Sequence, residues 1–160
     1  MNTDQPNTLR LLAATRFAEG LTNEQLQCIC RASRVMKLPK GATLFQEGSQ
    51  EDEVFVVSSG RIGLTMQLPH RESVRLMTAE PGDLVGWSGL ISDGRMTATA
   101  VAADDTTLIA MSGRKLRGLC EDDPKLGYHL MVRVARVLAQ RILATRLQMM
   151  DLFCQTHAKP

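Results

Sequence analysis

No run of apolar residues in this chain of 160 approaches the roughly 20 needed to span a bilayer, so no membrane-spanning helix is expected. The start, MNTDQPNTLRLLAATRF, lacks the basic opening and long apolar centre of a secretory signal, which points to the cytoplasm. Net charge is only +2, too little to argue for nucleic acid by itself. Cys28, Cys30, Cys120 and Cys154 fall into no common zinc spacing, and free thiols in a reducing cell are the expectation. His70, His129 and His157 stand isolated, so no metal site is expected. No nucleophile–base–orienter set stands out, which predicts no catalytic residues and no enzyme. What remains is globular composition, 44% hydrophobic and 22% charged, at a length that fits one domain over 1–160.

The periodicity divides that domain. A short helix is expected over Thr8 to Ala18, and a second within LTNEQLQCICRAS. There Thr22 and Gln25 have capping-box spacing, and Leu21 with Leu26 fits a hydrophobic staple. From Val35 the pattern changes to short segments punctuated by Gly41, Gly48, Gly60 and Gly82. ATLFQEG, EVFVVSSG, RIGLTMQL, SVRLMTA, DLVGW, MTATAVAA and TTLIAM each suit a strand. In RIGLTMQL, Ile62, Leu64, Met66 and Leu68 alternate with Arg61, Gly63, Thr65 and Gln67. SSG and LPHRES read as hairpin turns. Strands this short and close predict a sandwich or barrel over about 35–111, the double-sheet jelly roll being one solution.

Helices return after Met111. Ser112 can cap a short one carrying Leu116, Leu119 and Cys120. Asp123 then supplies an N-cap and Pro124 a first helical residue. The helix that follows is expected over about 124–153, about 30 residues and near 45 Å at 1.5 Å per residue. Met131, Val134, Leu138, Ile142, Thr145, Met149 and Leu152 form one stripe along it, as in a short coiled coil. Leu126, Leu130 and Val137 form a second stripe over the first half, suited to packing on the chain's own roll. A roll of this size cannot cover the whole helix, so a homodimer through the first stripe is expected.

The order is helix, helix, glycine-punctuated roll, short helix, long helix. In it, Phe17, Leu21, Leu26, Gly41, Leu44, Phe45, Gly48 and Gly60 resemble the opening of cyclic nucleotide-binding domains. PGDLVGW and TATAVAADDTTLIAMS continue the likeness, which covers about Phe17 to Leu152. The resemblance implies an α+β fold, mainly β: a jelly roll, or double-stranded β-helix, with N-terminal helices and a long C-terminal dimerisation helix. The subgroup most similar is the bacterial regulators of the cAMP receptor protein type. Those continue into a helix-turn-helix domain, for which Cys154 to Pro160 leave no room, so DNA binding by this chain alone is not expected.

The resemblance also defines a ligand loop. The family places a glutamate on the ribose and an arginine, followed by Ser or Thr, on the cyclic phosphate. A buried phosphate needs such a cation and backbone N–H donors. Here Trp87 stands at the glutamate position, Met96 at the arginine position and Thr97 at the hydroxyl position, with Arg95 one residue away. Arg141 lies near the long-helix positions that meet the base in the family. The expected ligand-contacting set is Gly86, Trp87, Ser88, Gly89, Leu90, Arg95, Met96, Thr97 and Arg141. Three readings are open: a cyclic nucleotide (cAMP or cGMP) held through Arg95, Thr97 and backbone amides; another small molecule with Trp87 as a wall; or no ligand, with Trp87 and Met96 as packing. The expectation is a non-enzymatic, dimeric sensing module with an altered pocket. Its alternatives are the sensory half of a transcription factor and a dimerisation scaffold with a dead pocket.

Overall fold

The computed structural model describes residues 5–67, 73–91 and 93–157, leaving out the side chains of 148–149 and 151–157. Among the described residues, five α-helices, α1 (Gln5–Ala13), α2 (Asn23–Arg31), α3 (Ser88–Ile91), α4 (Gly113–Asp122) and α5 (Pro124–His157), accompany eight strands. The strands are β1 (Ser33–Leu38), β2 (Thr43–Phe45), β3 (Glu53–Ser59), β4 (Ile62–Met66), β5 (Val74–Ala79), β6 (Leu84–Val85), β7 (Thr99–Ala102) and β8 (Thr106–Ser112). They form two antiparallel four-stranded sheets, ordered β1-β8-β3-β6 and β2-β7-β4-β5. The fold is mixed α+β and mainly β, as expected.

The central strands of the first sheet, β3 and β8, are buried on both faces, which explains their unbroken apolar runs. Val54, Val56, Ile109 and Met111 point towards the helices and pack with Leu12, Phe17, Ile29, Leu116 and Leu126. Their neighbours Phe55, Val57, Leu108 and Ala110 point into the roll against Phe45, Ile62, Leu64 and Met96. The period of two thus serves two cores at once.

Two connections differ from the sequence reading. SSG is not a hairpin: β3 pairs with β6 and β8, whereas β4 pairs with β5 and β7, so the turn carries the chain from one sheet to the other. Gly60 makes this possible at φ 79°, where an added Cβ would lie 2.5 Å from the Asp105 carbonyl oxygen. The β4–β5 connection is a true hairpin pairing; Leu68 and most of that turn lie outside the described residues. The sequence reading also missed β1, whose half-exposed residues give no clean alternation. The first helix ends at Ala13, and Arg16–Ala18 form a separate 3-10 turn.

Local capping explains where the helices start. Thr22 Oγ1 accepts from the Gln25 N–H and Gln25 Oε1 accepts from the Thr22 N–H, closing the expected capping box. Gln25 Nε2 also donates to Asp123 Oδ2 at 2.7 Å, tying the start of α2 to the start of α5. Asp123 Oδ1 accepts from the Lys125 and Leu126 N–H groups, and Ser112 Oγ accepts from the Lys115 N–H. Cys28, Cys30 and Cys120 are free, and burial pushes the Cys30 and Cys120 thiols up from their ordinary pKa, away from the reactive thiolate.

The long helix has 34 residues, about 50 Å at 1.5 Å per residue. Its first half is anchored: Leu126, Leu130 and Val134 are at most 2% exposed. Val134 therefore belongs to the chain's own core and not to a free seam, which corrects the expected stripe. Leu138 is only partly buried against that core. Beyond it the helix stands clear, with Ile142 57%, Leu143 60%, Leu147 55% and Met150 63% exposed. Met131 and Thr145 are exposed as well, while the side chains of Met149 and Leu152 lie outside the described residues. No described helix is long and apolar enough to cross a membrane.

Hydrogen bonds from Gln25 and from the Leu126 N–H hold the Asp123 carboxyl below its ordinary pKa. A depressed carboxyl pKa contributes stability above the unfolded value of about 3.9, and that contribution is lost as pH falls through the folded value. Asp123→Ala should therefore lower the Tm by a few degrees near neutral pH. The gap from the unmodified chain should close as pH drops below about 4. Thermal melts at a series of pH values test both, and a gap that widens in acid would contradict the capping role.

Candidate functional site

Three segments meet at one end of the roll. The chain leaves β6 through Gly86 at φ 76° and makes the single turn α3. It returns through Arg95–Thr97 before β7, and α5 crosses above. Gly86 and Gly89 let the backbone approach closely, but the object is the protein itself. A Cβ on Gly86 would lie 3.0 Å, and one on Gly89 2.9 Å, from the Glu53 carbonyl oxygen. The glycines seat the turn on the start of β3. Leu90, 3% exposed, plugs the helix-facing core, so neither Gly89 nor Leu90 faces a ligand space. Arg117, which the sequence did not single out, clamps the turn from α4. Its guanidinium donates to the Gly89 carbonyl at 2.5 Å and pairs with Asp52 at 3.3 Å.

Met96 is 3% exposed and packs in the intersheet core, where the side chain is a gap-filler. Its backbone is fixed on both sides: the Met96 N–H donates to Ser49 O, and Met96 O accepts from the Gly48 N–H. Arg95, its neighbour, is exposed. It lines an open cleft of about 670 Å³ with Glu47, Asp93, Trp87 and Thr97. No register slip brings Arg95 inward.

The cation in the site comes from elsewhere. Arg141 reaches down from α5, and its Nη1 donates to Thr97 Oγ1 at 2.9 Å. Its Cζ lies 5.8 Å from the centre of the Trp87 ring, within cation–π range. Burial pushes its pKa down from the ordinary value, while the field of Glu47 acts the other way; a guanidinium stays charged regardless. Glu47 is not an ion-pair partner, since no described ion pair includes Arg141. The space enclosed by Gly86, Trp87, Ser88, Met96, Thr97 and Arg141 is about 20 Å³, room for about one water. Trp87, Ser88, Thr97 and Arg141 thus lie around one space. Arg95 stands outside, and the pocket itself is closed. Phe45, Leu64 and Val137 also line it, none of which sequence reasoning placed there. Phe45 and Leu64 were legible only as core positions.

Related proteins share this architecture. A CRP-like cAMP-activated global transcriptional regulator from Mycobacterium tuberculosis is 24% identical over 142 residues, which are 89% of this chain and 62% of that protein. The chain thus spans less than two thirds of the length of that relative. Among solved structures, the Thermus thermophilus catabolite activator protein is 26% identical with a TM-score of 0.71, covering 83% of this chain and 62% of its own. A putative cyclic nucleotide-binding protein from Geobacter metallireducens is 27% identical with a TM-score of 0.70, covering 89% of this chain and 99% of its own. Residues 35–123, over half of the chain, match the sequence profile of the cyclic nucleotide-binding domain, and the chain belongs to that family.

Proposed function

We propose that this chain is a non-enzymatic, dimeric ligand-sensing module whose phosphate loop has been rebuilt around the long helix. The observation that carries this is the Arg141 contact. The guanidinium resting on Thr97 and Trp87 belongs to the helix that supplies the dimer seam. A ligand entering the closed pocket must displace Arg141 or bind it, and either shifts α5. Site and output are then one mechanical unit, as two-state sensing requires. The seam uses Ile142 and Thr145 of the free half, with Leu138 and Met131 on the same side.

A second reading, a scaffold with a dead pocket, is favoured by the 20 Å³ that remains inside. Thermal melting with cAMP, cGMP and a panel of small organic anions separates the two. A ligand at about 100 times its Kd should raise the Tm by roughly 5 °C or more. No shift across the whole panel would leave the scaffold reading.

Assembly has its own test. Leu138→Asp together with Ile142→Asp puts charges into the seam and should give monomers in sedimentation experiments. An unmodified chain that is already monomeric at micromolar concentration would refute the dimer.

Met96→Arg alone should lower the Tm, because it buries a cation in an apolar core. Combined with Trp87→Glu, it restores the family's phosphate and ribose groups and should strengthen cAMP binding. Calorimetry on the four proteins measures this. A double variant that binds cAMP no better than the unmodified chain would show that Trp87 and Met96 do not occupy those two positions.

A further inference from the structure

Beside the closed pocket, a cleft of about 400 Å³ opens between the long helix and the second sheet. Met66, Leu76, Trp87, Leu138 and Ile142 give it apolar walls. Arg141 and Arg146 are the ionisable side chains among the described residues that line it, and no carboxylate joins them. Neither arginine takes part in an ion pair among the described residues. The acid whose field reaches Arg141 is Glu47, which is already engaged: its carboxylate accepts from the Gln67 N–H at 2.9 Å. Two guanidiniums therefore flank apolar walls, neither of them in an ion pair among the described residues, and Glu47 acts on Arg141 only through its field. Thr97 is committed to Arg141, and the Thr145 hydroxyl donates to the Arg141 carbonyl at 2.9 Å. The cleft thus has cations and apolar surface to offer, and little to satisfy a polyhydroxyl group.

Resting on the sensing reading above, we infer that this cleft takes a small organic anion with a flat apolar body and no sugar: an aromatic or fused-ring carboxylate, sulfonate or phosphate. The body lies against Trp87, Met66 and Leu76, and the anionic group lies on Arg141 and Arg146. Flat rings suit an indole face, and planar guanidiniums bind carboxylate, sulfonate and phosphate oxygens in pairs while shedding water easily. Leu138 and Ile142 belong both to this cleft and to the expected seam, so an occupied cleft adds buried surface where two helices meet.

The test uses two probes of one ring system. 8-Anilinonaphthalene-1-sulfonate carries the anion, and N-phenyl-1-naphthylamine lacks it. Trp87 is the single tryptophan, so its emission reports on the cleft directly. The sulfonate should quench Trp87 saturably and bind roughly tenfold or more tighter than the neutral probe. Arg141→Gln and Arg146→Gln should each weaken the sulfonate by roughly tenfold and leave the neutral probe unchanged, and Arg146→Lys should retain part of the affinity. Circular dichroism melts confirm that the variants are folded; Arg146 is exposed, so its variants keep the fold even where Arg141→Gln does not. Equal affinity for the two probes, or sulfonate binding indifferent to both arginines, overturns the inference. Stabilisation by cAMP or cGMP without arginine-dependent sulfonate binding overturns it while leaving the sensing reading intact. A chain that answers to no nucleotide, no panel anion and neither probe overturns both.

Discussion

The pairing of β3 with β8 holds this protein together. These strands lie at the centre of the first sheet and are covered on both sides. Val54, Val56, Ile109 and Met111 meet the helices, and Phe55, Val57, Leu108 and Ala110 fill the roll. Each fully buried aliphatic side chain contributes about 1.5–3 kcal/mol from removed water contact alone. β6 also enters both cores, through Leu84 and Val85, but it brings only those two residues. A disturbance of β3 therefore reaches the helices and the second sheet together.

The loop around α3 inherits its shape from this same pair. The α3 turn sits on the first carbonyl of β3 through Gly86 and Gly89, Leu90 plugs the helix-facing core, and Arg117 closes the turn from α4. The contacts that shape the loop are internal. Side chains that would meet a ligand are a separate set, and they can change while the loop stands. This separation explains how Trp87 and Met96 occupy their positions without disturbing the glycine pattern around them. Met96 joins the intersheet core, and Trp87 turns its ring towards α5.

Arg141 then connects two parts with different degrees of support. The first half of α5 is locked by Leu126, Leu130 and Val134, whereas beyond Leu138 the side chains of Ile142, Leu143, Leu147 and Met150 are exposed. Arg141 stands at the boundary. A cation there, bonded to Thr97 and close to Trp87, ties the loop to the start of that exposed stretch. Elements used in switching come from the weakly supported end of a structure, and this boundary has that character.

The sequence by itself determined the element order, most of the strands, the capping box at Thr22, the N-cap at Asp123 and the length of the long helix. These depend on local spacing and on short-range hydrogen bonds, which a single chain segment carries within itself. It also determined that Trp87, Met96 and Thr97 stand in the stretch after β6, because residue identity at a position needs no fold to read. Tertiary structure alone decided the rest. Whether SSG is a hairpin depends on partner strands far away in sequence, and β3 and β4 have different ones. Whether Val134 faces a seam or a core depends on how α5 rotates against α4 and the roll, and periodicity along one helix does not fix that rotation. Arg141 was expected near the site, but its partners there were not legible. Arg141 lies 44 positions from Thr97 along the chain, and only the crossing of α5 over the loop brings its guanidinium to that hydroxyl.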